Sequence, residues 1–347
     1  MNTKVSTVVG LEFFVMEKEP ARILNDVRNG KKLPWKEKKA ENLTYAQYLS
    51  ILGFKKANNV AGCGELLEFA VTDAGLKLYR TWFCKSRLCP LCAWRRRLRN
   101  VGETVAILDE ANARVPKSEF LFLTLTLKNA ELGELKKVIS NLHKGFNRLF
   151  RYKRIDSVIR GYIRSTEITI NRSRRQFHPH IHVVLMVPRG YAKHTELKRY
   201  ITHSEWVALW RRALKIDYDP GVYIEKAKAR KRKNGKLEES ELAAAKEIAK
   251  YQVKSGEYIT GNVISDLVYV EELELALRHT RQFGYGGIFK TVRKELLLDD
   301  EEEDLINYGN GSETVDHEDD IEVDDTPDKT VMYKWVYAMS NYIKFEG

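Results

Sequence analysis

The spacing of apolar residues changes several times along the chain, and each change predicts an element. Residues 120–127, Phe-Leu-Phe-Leu-Thr-Leu-Thr-Leu, are dense in β-forming side chains and read as a buried strand. Between 132 and 150 the spacing lengthens. Leu135, Val138, Leu142, Phe146 and Leu149 recur at three- and four-residue intervals, which places them on one side of a helix. Residues 161–170 form a second strand, 171–176 a polar turn, and 177–187 a strand whose second half, Val183-Val-Leu-Met-Val187, is wholly apolar. An amphipathic helix follows over 204–214, with Trp206 and Trp210 four residues apart and expected in the core. Further helices are predicted at about 43–52, 94–108 and 238–256, and a turn with a short strand at 284–289. Strands and helices mixed in this way predict an α+β protein.

The strand 177–187 carries candidate chemistry. It opens His178-Pro-His180-Ile-His182, so three of the chain's eight histidines fall within five residues. In a strand, side chains at i, i+2 and i+4 share one face. Imidazole is the commonest side-chain ligand of divalent transition metals. If Ile170 pairs with Phe177 across the turn, Glu167 lies opposite His180 and a carboxylate completes a three-ligand site. The alternative is a histidine-rich strand on the surface.

The cysteines suggest a second metal. Cys63, Cys84, Cys89 and Cys92 are the only four in the chain. A Cys-x2-Cys turn joined by two further cysteines is suited to a tetrahedral, all-sulfur zinc site, structural because no position is left open. Gly64 gives the backbone freedom to wrap round the ion. Directly afterwards, Arg95, Arg96, Arg97 and Arg99 place guanidinium groups suited to phosphate beside that site.

Charge changes the picture more than composition does. Hydrophobic residues make up 43% of the 347, enough for the cores of about two domains. No apolar run approaches the roughly 18–20 residues of a membrane span, and residues 1–20 lack a secretory pattern, so a cytoplasmic protein without membrane association is expected. Residues 299–328 hold fifteen acidic side chains and no Lys or Arg. With Lys329, Lys334, Lys344 and Glu346, residues 299–347 carry a net −13; the whole chain carries +11, so residues 1–298 carry +24. A body that basic implies a polyanionic partner, most simply nucleic acid. The acidic stretch reads as a solvated, disordered linker. The basic run at 226–236, with Arg230, Lys231, Arg232 and Lys233, is a further candidate for DNA backbone contact.

A last constellation lies in the helix expected at 238–256. Glu247, Tyr251, Lys254 and Tyr258 are spaced four, three and four apart, which on one continuous helix puts them on one face. An oriented tyrosine is a usable nucleophile, a lysine can stabilise a phenolate or neutralise phosphate, and a glutamate can serve as general base.

The order of these pieces closely resembles the replication initiators of rolling-circle plasmids, within the HUH endonuclease superfamily. The resemblance rests on the apolar, threonine-containing segment 120–129, the His-Pro-His-Ile-His strand and the Tyr-x-x-Lys helix. It is closest to the branch with a cysteine-rich segment before Trp-Arg-Arg and with Glu-x-x-x-Tyr in the last motif, here Glu247-Ile-Ala-Lys-Tyr251. Glu257 stands before Tyr258 where the pattern leads one to expect Asp. The resemblance implies a ferredoxin-like or RNA-recognition-like antiparallel sheet flanked by helices. It implies Mg²⁺ or Mn²⁺ on His180, His182 and Glu167, with His178 nearby but not coordinating, and structural Zn²⁺ on the cysteines. Tyr251 is then the nucleophile, Tyr258 the alternative, and Glu247 the group that activates water. The substrate is single-stranded origin DNA, with a host helicase and single-strand-binding protein as partners. Under this reading the chain divides into an N-terminal extension (1–60), a zinc segment with basic helix (61–110), the endonuclease domain (111–260), a helical segment (261–298), the acidic linker (299–328) and a C-terminal segment (329–347). A relaxase or single-strand transposase shares the chemistry, and a zinc-containing DNA-binding regulator without nuclease activity is the reading from another class.

Overall fold

The computed structural model of the protein describes residues 23–28, 30–73, 75–191, 200–227, 230–231, 237–238, 245, 247–249, 253–296, 298, 305–306, 327 and 329–345. It is a mixed α+β structure built on two antiparallel sheets.

The larger sheet has six strands. Its main path runs Phe283–Gly287, Gly161–Asn171, Gln176–Val187, Glu119–Thr126, Val222–Lys226, and the two-residue strand Ala130–Glu131 pairs with the start of Gln176–Val187. In the central hairpin Ile170 lies opposite Phe177 and Glu167 opposite His180, the register that the short polar turn predicts. The turn is closed by Asn171, whose Oδ1 accepts from the Arg174 backbone N–H at 3.1 Å and from the Ser173 hydroxyl at 2.8 Å.

Both faces of this sheet are covered, which explains the unbroken apolar runs in its strands. Leu121, Leu123, Ile181, Val183 and Leu185 pack against the helices Leu135–Leu149 and His203–Leu214 through Leu142, Phe146, Trp206 and Trp210. The two helices approach closely at Gly145, where an added Cβ would stand 2.7 Å from Leu214 Cδ2. On the other face Phe120, Phe122, Ile163, Val184 and Met186 meet Ile107 and Leu108 of helix Pro90–Arg114 and Phe289 and Val292 of helix Ile288–Glu295. Further along the same strands this face turns polar. Thr124, His182 and Ser165 form one cross-strand row, and Thr126, His180 and Glu167 the next. The helices cover the apolar end, and the polar end carries the site.

The smaller sheet has four strands in the order Asn341–Phe345, Thr330–Val336, Leu66–Thr72, Gly75–Thr81. Its core holds Phe69, Tyr342 and Trp335 together with Trp35 and Trp94, which meet edge to face with ring centroids 4.7 Å apart. Leu305, from within the acidic stretch, is buried in the same core.

Two helices are longer than their spacing predicts: Trp35–Ile51, and Pro90–Arg114 with Pro90 in its first turn. The helix expected over 238–256 is not continuous. Ala245, Glu247 and Ile248 are helical, Ala249 is in a turn, and Lys254 has an extended backbone ahead of a new short helix, Ser255–Tyr258. Tertiary bonds hold that new segment: Glu257 accepts from the Ile170 backbone N–H at 3.0 Å, and the Tyr258 hydroxyl donates to the Leu88 carbonyl at 2.5 Å. Among the described residues no helix is long and apolar enough to cross a membrane.

Candidate metal centres and catalytic residues

Strand geometry builds the first centre. His180 and His182 alternate onto the polar face, and the hairpin register sets Glu167 between them. Glu167 Oε2 lies 3.0 Å from His182 Nε2 and 3.4 Å from His180 Nε2. The three donor atoms lie within 4.8 Å of one another. Each imidazole is oriented through its other nitrogen: His180 Nδ1 is 3.1 Å from the His178 carbonyl, and His182 Nδ1 is 3.1 Å from Thr124 Oγ1. An Nδ1–H given to a neighbouring oxygen leaves Nε2 as the coordinating atom. Burial raises the Glu167 carboxyl pKa, but the hydrogen bonds and charge of the two imidazoles outweigh burial and hold it well below the usual carboxylate range. Two imidazole nitrogens and one carboxylate oxygen suit a divalent metal and leave coordination positions for a substrate oxygen. His178 stands apart. Its Nδ1 meets Asn129 Oδ1 at 2.8 Å, and burial followed by the neighbouring His180 lowers its pKa.

The second centre joins three segments. Cys63 follows the short helix Ala57–Ala61, Cys84 follows strand Gly75–Thr81, and Cys89 and Cys92 open helix Pro90–Arg114. The sulfurs of Cys63 and Cys92 are 3.5 Å apart, and those of Cys84 and Cys92, and of Cys63 and Cys89, 3.7 Å. Four thiolates about 2.3 Å from a tetrahedral zinc stand roughly 3.8 Å from one another. A disulfide needs about 2.05 Å. The spacing therefore fits a shared ion, and no cysteines here are disulfide-bonded. Gly64 takes a φ of +58° beside Cys63, the turn its position predicts.

Two residues that the sequence left unnoticed complete this centre. Lys39 Nζ donates to the carbonyls of Ala61 at 2.7 Å and Cys63 at 2.8 Å, and Asn42 Nδ2 donates to Cys89 Sγ at 3.3 Å. The available signal was a lysine and an asparagine at i, i+3 in line with buried Tyr45 and Leu49, polar residues on the buried side of a helix. Thr124 was likewise unassigned, although it lies on a strand predicted to be buried.

The other candidates are partly dispersed. Arg95 and Arg99, expected to face phosphate, are turned into the body. Arg95 donates to the carbonyls of Leu305 at 2.9 Å and Ile306 at 2.8 Å and lies over the rings of Trp35 and Trp94; Arg99 is 3.1 Å from Glu103. Their i, i+4 spacing puts both on the helix side that packs inward. Arg96 and Arg97 keep partial exposure. Arg230 and Lys231 form a two-residue strand paired with Leu237–Glu238, while Arg232 and Lys233 lie outside the described residues. Tyr251 also lies outside them. Glu247 is half-buried, Lys254 is exposed, and Tyr258 is 1% exposed in the core on the side of the four cysteines, its ring centroid 6.0 Å from that of Tyr45. The break at Ala249 and Lys254 removes the common helix face expected for Glu247, Lys254 and Tyr258.

The antiparallel α+β scaffold thus carries two groups of side chains that could hold a metal ion, Glu167–His180–His182 and the four cysteines. A family model described as "Replication protein" matches residues 75–343. A "Protein rep" from Lentilactobacillus hilgardii is 46% identical over 323 residues, covering 92% of this chain and 98% of its own. One from Lactiplantibacillus plantarum is 45% identical, covering 90% and 96%, and one from Bacillus amyloliquefaciens 38%, covering 92% and 97%. No solved structure matches the chain. The chain belongs to the Rep family of replication proteins, the plasmid replication initiators.

Proposed function

We propose that this Rep protein initiates rolling-circle replication by nicking and rejoining single-stranded DNA at the plasmid origin, on an HUH-type sheet. One observation carries the proposal: the chain on both sides of Tyr251 is anchored around the His180–His182–Glu167 centre. Before it, Ile248 is buried with Ile163, Val184 and Phe122 on the histidine face. After it, Glu257 is bonded to the backbone of Ile170, three residues beyond Glu167 on the same strand.

Glu167, His180 and His182 would hold Mg²⁺ or Mn²⁺, which when bound would supply Lewis-acid polarisation of the scissile phosphate. Thr124 and the His178 carbonyl keep the two imidazoles presented through Nε2. The Tyr251 oxygen loses its proton and bonds to phosphorus; the bond from phosphorus to the 3′ oxygen breaks, and that oxygen takes up a proton. The products are a 5′-phosphotyrosine and a 3′-OH that primes synthesis, and the retained phosphoester allows later rejoining without ATP. Glu247 is the base that activates water for the terminating cleavage, with exposed Lys254 available to phosphate. The four cysteines would hold Zn²⁺, which would serve the structure alone. The assembly is cytoplasmic, with a host helicase and single-strand-binding protein acting on the exposed strand.

The test incubates the full chain with labelled single-stranded origin DNA and Mn²⁺. A denaturant-resistant adduct that Tyr251→Phe abolishes supports the proposal. No adduct with origin DNA favours a binding protein without nuclease activity, and an adduct lost only in Tyr258→Phe moves the nucleophile.

A further inference from the structure

A cavity of about 420 Å³ opens between the first half of helix Pro90–Arg114 and the edge strand Phe283–Gly287. Lys85, Arg87, Arg96, Arg281 and Lys290 line it together with the Arg99–Glu103–Arg293 cluster, and among the described residues Glu103 is the sole carboxylate in the lining. That carboxylate is already engaged, 3.1 Å from Arg99 and 3.9 Å from Arg293. The cations of the lining outnumber that carboxylate, so an arriving anion offsets the repulsion among the guanidinium and ammonium groups. Two guanidinium planes are held in place: Arg87 donates to the Thr280 hydroxyl at 2.9 Å, and Arg96 to the Lys85 carbonyl at 3.2 Å.

Two features distinguish the cavity from a general anion trap. Phe283 and Tyr285 form an aromatic wall, with ring centroids 6.4 Å apart and planes 25° from parallel. Its position is also set by the sheet. Phe283 lies opposite Ser165, and Ser165 opposite His182, so Phe283 and His182 share one cross-strand row on the histidine face. Two strand spacings amount to about 10 Å. A strand of DNA whose phosphate sits at the metal centre reaches the cavity with a neighbouring nucleotide.

We propose that this cavity binds one nucleotide of the single-stranded substrate beside the scissile phosphate, its phosphate on Arg87, Arg96, Arg281 and Lys290 and its base against Phe283. The proposal rests on the nicking function above for the direction in which the strand runs, but its test reads binding alone. The probe is a fluorescein-labelled thymidine oligonucleotide of about twelve residues, within the span of a single-strand site. Affinity is followed by anisotropy across a salt series, using the full chain carrying Tyr251→Phe so that cleavage plays no part.

Arg281 and Lys290 are exposed, so the double variant Arg281→Glu/Lys290→Glu is expected to fold, checked by an unchanged melting curve. It should bind about tenfold more weakly at low salt, with the slope of log affinity against log salt reduced by roughly 0.7 for each phosphate that the protein no longer neutralises. Arg281→Lys/Lys290→Arg should restore both. Phe283→Leu should weaken binding and leave the slope unchanged, because it removes a ring and no charge. Wild-type affinity and slope in the charge-reversed protein overturn the proposal, and unchanged affinity in Phe283→Leu overturns the base contact. If charge reversal instead abolishes competition by inorganic phosphate or thymidine 5′-monophosphate while leaving oligonucleotide binding intact, the cavity serves a free anion and the proposal fails. A missing tyrosine adduct alongside these binding changes would refute the nicking function and leave the cavity standing.

Discussion

Replacing Thr124 with valine tests how the histidine centre is held. The two side chains are close in shape and both suit a strand, so the backbone pairing of Thr124 with His182 and Tyr223 should persist. What is lost is one oxygen, the Oγ1 that stands 3.1 Å from His182 Nδ1. Without it the ring loses the partner that fixes its tautomer and its tilt. Removing such an outer partner of a metal-bound histidine costs about 10- to 100-fold in metal affinity. This corresponds to roughly 1.4–2.7 kcal/mol. The His182 side chain is 14% exposed, so water replaces the oxygen in part and the lower end of that range is expected. Titration calorimetry with Mn²⁺ measures the change. Thr126→Val is the control, since that hydroxyl is bonded to the Gly221 carbonyl and to no histidine. Nicking by Thr124→Val should recover at saturating Mn²⁺. Equal Mn²⁺ affinity in Thr124→Val and wild type would refute the claim that Thr124 orients the ligand.

Other consequences can be checked separately. The purified chain should carry one zinc per molecule; Cys92→Ser should lose it and melt at lower temperature, as should the wild type in chelator. Asn42→Ala, which removes the buried bonds to Cys89 Sγ, the Val60 carbonyl and Lys39 Nζ, should cost about 1–3 kcal/mol in chemical denaturation and leave the zinc content unchanged. His143 is half-buried against Thr166, and burial followed by the charge of Arg164 lowers its pKa to about 4. The folded state then keeps it neutral where the unfolded chain, with a histidine pKa of about 6.5, binds a proton. Stability from this group is complete above about pH 6.5 and falls as the pH drops towards 4, by up to about 1.4 kcal/mol per pH unit; denaturation of His143→Gln across that range should show the slope reduced. Gly145→Ala should destabilise by about 1–3 kcal/mol through contact with Leu214 and Trp210, less the helix-propensity gain, as read by thermal melting.

The legible parts of this molecule are those fixed by local spacing. A four-residue turn leaves few registers for the 161–187 hairpin, and burying its apolar residues selects the one that sets Glu167 opposite His180. The Cys-x2-Cys pair at the start of a helix brings two thiolates together before any tertiary contact is known. What was not legible depends on distant partners. Strand Thr330–Val336 crosses the whole acidic stretch to pair with Leu66–Thr72, a pairing with no local trace. Arg95 reads as a surface cation until the carbonyls of Leu305 and Ile306 and two tryptophan rings are placed around it. The periodicity of 238–256 favours one helix, yet the bonds of Glu257 to Ile170 and Tyr258 to Leu88 favour a new segment after Lys254. Tyr258 thereby becomes a core residue.

The most direct test of the central claim is to isolate the covalent complex formed with single-stranded origin DNA and Mn²⁺, digest it, and map the modified peptide by mass spectrometry. A nucleotide joined through its 5′-phosphate to Tyr251, with a free 3′-OH on the released strand, is the predicted result. Linkage at another residue, or cleavage that leaves no linkage to protein, would contradict the account.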